Sequence, residues 1–290
     1  MINEITYITT SLVITVGIVG MYKGWKRRGI YRYMESVRTV DVGVVDPPET
    51  VEVEGTAVES DCSETIRAPV TEREALATAW KIEEWDERGD RSTWREVARG
   101  IEVAEFVIED DTGEITVESI SRTDTAGKWT QTTGISANQG IRMDDALIEF
   151  RSFPKEYELD PSEETPTNIR ELHEKHGLYE DTDTPLNAVD IGTKHGTRRY
   201  MEGVIEPGEA VYALGCADTK GSARMEDDRE GTTTKLTECG GDLFILSNHG
   251  EEEIEKKFKS SYKSLFYPGL VGVIIGVGIL LYKLGIWSYI

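Results

Sequence analysis

Three cysteines in 290 residues are too few for a disulfide scaffold or for one four-cysteine zinc site. They stand at Cys62, Cys216 and Cys239 and are expected as free thiols of a reducing cytoplasm. A Cys–His nucleophile pair, for instance with His249, needs a proximity that spacing alone does not supply. Positive charge is scarce too. The chain carries 32 Lys and Arg against 54 Asp and Glu, a net charge of −22, which argues against a nucleic-acid binder with its basic footprint. There is no glycine-rich phosphate loop, nucleophile elbow or dinucleotide fingerprint. No cofactor and no catalytic residue is predicted.

What is present lies at the two ends. Mean hydropathy is −0.39, the value of an ordinary soluble protein, yet it averages over two uncharged runs. Ile5–Tyr22 has 18 residues and Ser264–Tyr282 has 19 without a charged side chain. At ~1.5 Å per residue each helix covers roughly 27 Å or more, about one bilayer core. Tyr22, Trp25 and Tyr31 follow the first run. Tyr262, Phe266 and Tyr267 open the second, and Trp287 and Tyr289 follow it, as interfacial anchors do. Pro268 sits near the start of the second run, where a helix tolerates it best. Glu4 precedes the first run and Lys23, Lys26, Arg27 and Arg28 follow it, the reverse of a cleaved signal peptide.

The same charges set an orientation. Lys23, Lys26, Arg27, Arg28 and Arg32 follow the first span, and Lys256, Lys257, Lys259 and Lys263 precede the second. The positive-inside rule then puts the middle of the chain in the cytoplasm and both termini outside, as a two-span protein of the cell membrane. Gly20-x-x-x-Gly24 and Gly272-x-x-x-Gly276 suit close helix approach, in a hairpin or a homodimer.

The expected fold is a membrane-anchored, mainly β (α+β) domain between two transmembrane α-helices. The segments are span 5–22, a basic juxtamembrane stretch 23–49, a β-rich domain 50–250, a juxtamembrane helix 251–263, span 264–282 and a tail 283–290. Residues 29–250 carry 23 Lys and Arg, only seven of them Lys, against 49 Asp and Glu, a net charge of −26. Such acidity with few lysines fits a surface hydrated in molar salt, where repulsion is screened, and points to a halophilic archaeon or bacterium.

Strands are predicted at Thr50–Ala57, Ala75–Glu84, Trp94–Arg99, Glu105–Glu109, Glu114–Glu118, Arg199–Ile205, Ala210–Leu214 and Leu243–Leu246. Asp110-Asp111-Thr112-Gly113 and Glu206-Pro207-Gly208-Glu209 read as hairpin turns, the second of type II. A helix is expected from Thr167 to His176, stopped by Gly177, and another from Glu251 to Tyr262 that runs into the second span. Residues 121–140 and 218–234 read as polar loops.

Four stretches carry a family resemblance. They are Val53-Glu54-Gly55-Thr56-Ala57-Val58 with Ala68-Pro69; Trp80-Lys81-Ile82-Glu83-Glu84 with Trp94; Phe106 to Gly113 with Ile115 and Val117; and Arg199-Tyr200-Met201-Glu202 with Ile205, Pro207-Gly208 and Val211 to Gly215. Their order between two spans, over about residues 50–250, resembles the beside-a-membrane domain of the GIDE/MULAN-type membrane E3 ubiquitin ligases. The resemblance implies a ubiquitin-transfer pathway. Those ligases end in a RING, whose zinc ligands are paired Cys and His; this chain has no Cys-x-x-Cys, and the seven residues after Lys283 hold neither Cys nor His. The expected role is therefore a RING-less scaffold or adaptor binding a protein or lipid at the membrane, with an E3-like component of a protein-conjugation pathway as the alternative.

His173 and His176 share a helix face and, with His195, are the candidate zinc ligands; His173-Glu174-Lys175-His176 is one residue short of the zinc-protease spacing. Solvated histidines compete with that reading. Glu109, Asp110 and Asp111 suggest Ca²⁺ but lack the ligand density of a dedicated loop, and turn chemistry explains them. Glu180-Asp181-x-Asp183 and Glu226-Asp227-Asp228 read as solvating loops. Arg198-Arg199-Tyr200 reads as a strand-edge ion pair.

Overall fold

The computed structural model describes residues 2–61, 63–87, 92–125, 139–178, 193–220, 233–238, 240 and 243–283. The chain divides into two units, Met1–Val37 with Glu251–Ile290, and Arg38–Gly250. Its helices are α1 (Ile2–Ser36), α2 (Thr167–His176) and α3 (Glu251–Lys283).

The first unit is the pair α1 and α3. Both are long and apolar enough to cross a membrane, over Tyr7–Ser36 and Glu251–Lys283. Small residues form the seam between them. A Cβ on Gly17 would lie 2.7 Å from the Gly269 carbonyl oxygen, and one on Gly269 would lie 2.6 Å from the Gly17 carbonyl oxygen. Gly24 meets the backbone of Phe266, Gly20 faces Leu265 and Gly269, and Gly276 meets the Ile14 side chain. Gly272 is more open, with Val13 at 3.9 Å. Absent side chains let the two backbones touch, the packing open to helices that gain no hydrophobic drive from lipid. The large outward-facing side chains of the uncharged stretches are apolar: Leu12 and Val16 are each 63% exposed, and Ile274 is 61% exposed. The Thr15 hydroxyl donates to the Ser11 carbonyl at 2.9 Å, which satisfies a polar group that hydrocarbon would not. Both helices run past the uncharged stretches. The 23–36 segment is helical, and Pro268 lies deep inside α3 rather than near a helix start. Its missing N–H removes one bond of the ladder.

The second unit holds fifteen described strands. They are β1 (Glu49–Glu59), β2 (Ile66–Arg67), β3 (Glu74–Ala75), β4 (Ala77–Asp86), β5 (Thr93–Val103), β6 (Phe106–Glu109), β7 (Glu114–Val117), β8 (Ile120–Thr125), β9 (Gly140–Met143), β10 (Ala146–Glu149), β11 (Lys155–Leu159), β12 (Arg198–Ile205), β13 (Ala210–Lys220), β14 (Thr233–Thr237) and β15 (Phe244–Ser247). Five of them close on themselves in the order β1, β6, β7, β14, β13 and back to β1. All these pairs are antiparallel except β7 with β14. Strand β14 shuts the ring between β7 and β13, giving a small five-stranded barrel. The hinge of this closure is β1. Its first eight residues pair with β13 and its last four with β6, Thr56 being common to both. Val51, Val53 and Ala57 point inward with period two, toward a core shared with Phe106, Ile108, Ile115, Val117, Ala213 and Leu236. Each large apolar side chain so buried stabilises the fold by about 1.5–3 kcal/mol.

Outside the ring, β15, β10 and β9 extend the first sheet from β13, β2 pairs with β3, and a separate five-stranded sheet has the order β11-β12-β4-β5-β8, antiparallel throughout. Ala77, Ala79, Ile101 and Val103 on one face join the barrel core, while Trp80, Ile82, Ala98 and Tyr200 on the other pack with Ile169 and Leu172 of α2. Gly177, at φ +64°, caps α2 in the left-handed conformation.

Three expectations are corrected here. β12 and β13 belong to different sheets, so Glu206–Glu209 is a corner and not a hairpin. The turn itself is as expected: Glu209 N–H bonds Glu206 C=O at 3.2 Å, and Gly208 takes φ +86°, as a type II turn requires. Residues 121–125, 140, 218–220 and 233–234 are strand rather than loop. Finally, β12 is an interior strand. Arg198 and Arg199 pair across it with Glu84 at 3.0 Å and with Glu83, not at an edge.

Candidate functional site

The domain carries an open polar groove of about 620 Å³. It collects residues from six separate segments, one of them β12 through Val204. Thr71 and Arg73 come from the β2–β3 turn, Arg151 and Ser152 from the link after β10, Glu156 and Tyr157 from β11, Glu209 from the corner, and Asn248 from beyond β15.

The chain positions these groups through hydrogen bonds. Asn248 Oδ1 accepts from Arg151 N–H at 2.8 Å, and Asn248 Nδ2 donates to Glu209 at 2.9 Å. Gln139 Nε2 donates to the Arg151 carbonyl at 3.3 Å, and His249 Nε2 lies 2.9 Å from the Phe150 carbonyl. The irregular segment around Arg151 is therefore tied from several directions, while its guanidinium is exposed and has no ion pair among the described residues. Arg73 donates to Thr71 Oγ1 at 3.3 Å and pairs with Glu206 at 3.3 Å.

Glu202, fully buried, holds up this wall from beneath. It accepts from Val70 N–H at 3.0 Å, Thr71 N–H at 2.7 Å and Thr71 Oγ1 at 2.6 Å. Burial pushes its carboxyl above the usual range, outweighing these bonds, which act the other way. The groove thus offers two guanidinium groups, two carboxylates, three hydroxyls and an amide. That set suits recognition of a polar ligand by ion pairs and hydrogen bonds.

The histidines do not converge. His173 Nε2 lies 3.0 Å from the Tyr200 hydroxyl in the core. His176 packs against Trp80 with ring centroids 5.3 Å apart and the rings tilted by 39°, and burial, then Lys175, lowers its pKa. His195 Nδ1 accepts from Glu87 N–H at 3.1 Å. Among the described residues no group of three His, Cys, Asp or Glu could hold a metal ion.

Asp110 is spent on its turn. Oδ1 accepts from Thr112 N–H, the Thr112 hydroxyl and Gly113 N–H at 2.6–2.9 Å, and Oδ2 from Val42 N–H at 2.8 Å. Burial would raise its pKa, but these donors outweigh it and hold the carboxyl down at about 2. Cys216 is disulfide-bonded, which corrects the expectation of a free thiol there. Cys62, Cys239 and the acidic stretches at 180–183 and 226–228 lie outside the described residues.

Nothing in the sequence flagged the groove. Its residues are ordinary polar types spread from position 71 to 248, and only the sheet topology gathers them. No family model, curated protein or solved structure matches the chain.

Proposed function

We propose that the protein is a two-span membrane anchor carrying an acidic β-barrel domain that acts as an interaction module at the cytoplasmic face of the cell membrane. The observation that carries this reading is the helix pair: two backbones in glycine contact with an apolar exterior. A soluble protein has little use for such an exterior. The polar groove is the domain's candidate docking place for a protein partner. The GIDE/MULAN-type resemblance fits the same plan, with the chain as a RING-less scaffold or adaptor in the neighbourhood of protein conjugation.

The cytoplasmic placement rests on the charge rule. A second reading, with the domain outside the cytoplasm, is favoured by the disulfide at Cys216, because structural disulfides persist mainly in oxidising compartments. Both readings share the anchor. Alkaline carbonate washing of membranes tests it: the chain is expected to stay in the pellet and leave only with detergent. Release into the wash would sink the two-span reading.

A further inference from the structure

Two cationic runs far apart in sequence meet on the helix pair. Residues 23–32 of α1 contain Lys23, Lys26, Arg27, Arg28 and Arg32, and residues 256–263 of α3 contain Lys256, Lys257, Lys259 and Lys263, with no carboxylate in either run. The antiparallel packing sets them level. Arg27 bonds the Ser261 hydroxyl. The Lys259 ammonium lies 5.3 Å from the centre of the Tyr31 ring, and that ring lies 5.7 Å from the Tyr262 ring.

Helical spacing sorts the cations into rows. Lys256, Lys259 and Lys263 are three and four apart, and Arg28 and Arg32 are four apart, so each set shares one face of its helix. The aromatics Tyr22, Trp25 and Tyr267 are more than half exposed just beside this level, as residues at headgroup depth are. Beyond them the exterior is aliphatic. Charge next to aromatic next to aliphatic is the profile of one phospholipid leaflet, from phosphate to chain.

We propose that this belt is a binding site for anionic phospholipids, whose headgroup phosphates sit against the cation rows of α1 and α3. The proposal rests on the membrane reading above and deepens it by naming a lipid class. A free phosphate offers the same charge but no acyl chains for the adjoining apolar surface. Each cation near an anionic leaflet contributes roughly a fivefold gain in affinity at low salt, and the gain shrinks as salt shortens the Debye length.

The test uses the full chain in mild detergent, with thermal stability followed as phosphatidylglycerol, phosphatidylcholine or inorganic phosphate is added. Phosphatidylglycerol is expected to raise the melting temperature at concentrations at least about tenfold below those at which phosphatidylcholine acts, and phosphate alone is expected to do nothing. The variant Arg28→Gln/Arg32→Gln/Lys256→Gln/Lys263→Gln is expected to lose that preference. The charge-keeping set Arg28→Lys/Arg32→Lys/Lys256→Arg/Lys263→Arg is expected to keep it, which separates charge from folding. Equal response to both lipids, an unchanged preference in the glutamine variant, or full reproduction by phosphate would overturn the proposal. Failure of the membrane reading looks different: the chain would then not float with liposomes of either lipid.

Discussion

Gly17→Leu is expected to lower the fraction of SDS at which the purified chain unfolds in mixed micelles, while Gly278→Leu leaves it unchanged. The difference lies in what a side chain meets. At Gly17 a Cβ falls 2.7 Å from the Gly269 carbonyl oxygen and 3.1 Å from the Val273 nitrogen. These are backbone atoms, which move only if the helices part. At Gly278 nothing stands within 4 Å. Forcing a side chain into the seam costs about 1–3 kcal/mol by overpacking, and separation forfeits the dispersion contacts that hold membrane helices together. Gly276→Ala should fall between the two, because its nearest neighbour is the flexible Ile14 side chain. Equal midpoints for Gly17→Leu and Gly278→Leu would mean that the seam does not hold the pair.

Glu202→Ala is the second large effect. Two backbone N–H groups, of Val70 and Thr71, end on this one carboxyl. Val70 is fully buried, so its orphaned donor has no water to turn to. With about 1–3 kcal/mol for each unsatisfied group, the domain should lose ~3 kcal/mol and melt roughly 10 °C lower, at 2–4 °C per kcal/mol for its size. The pH dependence carries a signature. Burial keeps the folded-state pKa of Glu202 above its ordinary 4.5, so the folded protein retains a proton that the unfolded chain has released. The stability linked to this group is complete below the ordinary value and falls as pH rises through the raised one. Glu202→Gln should remove that slope while keeping one acceptor. Denaturant titrations at several pH values check both variants. A Glu202→Ala protein as stable as the parent would show that the Thr71 wall is held by something else.

How much of this was legible follows from which physics is local. The uncharged runs were visible because the absence of charge over 18 residues is a one-dimensional signal, and α2 was visible through its periodic face and Gly177. Strand β1 announced itself by alternation and β6 and β7 by the Asp110–Gly113 turn, while helix propensity contested β4 and β5 was read only as its partner. The barrel did not. Closure joins β1 to β13 and β7 to β14 across more than a hundred residues, and no local pattern encodes that. For the same reason Pro207-Gly208 passed as a hairpin: its turn chemistry is local, but the sheet each flanking strand joins is not. The glycine seam was half legible. Gly20, Gly24, Gly272 and Gly276 were singled out by their spacing, yet the tightest approach of backbone to backbone falls at Gly17 and Gly269, which sit outside either five-residue motif. The histidines were misleading in the opposite way. Sharing a helix face put His173 and His176 together in sequence, and tertiary packing sent one to Tyr200 and the other to Trp80.

The proposed arrangement is an acidic domain held at the cytoplasmic face by a two-helix anchor. Its most direct test is a pair of reporters at each terminus of the full chain, one active only outside the cytoplasm and one fluorescent only inside. Activity outside and darkness inside, at both ends, is the predicted result. Fluorescence at both ends with no outside activity would contradict it, turning the cation belt to the wrong side of the membrane and placing Cys216 and its disulfide in an oxidising space.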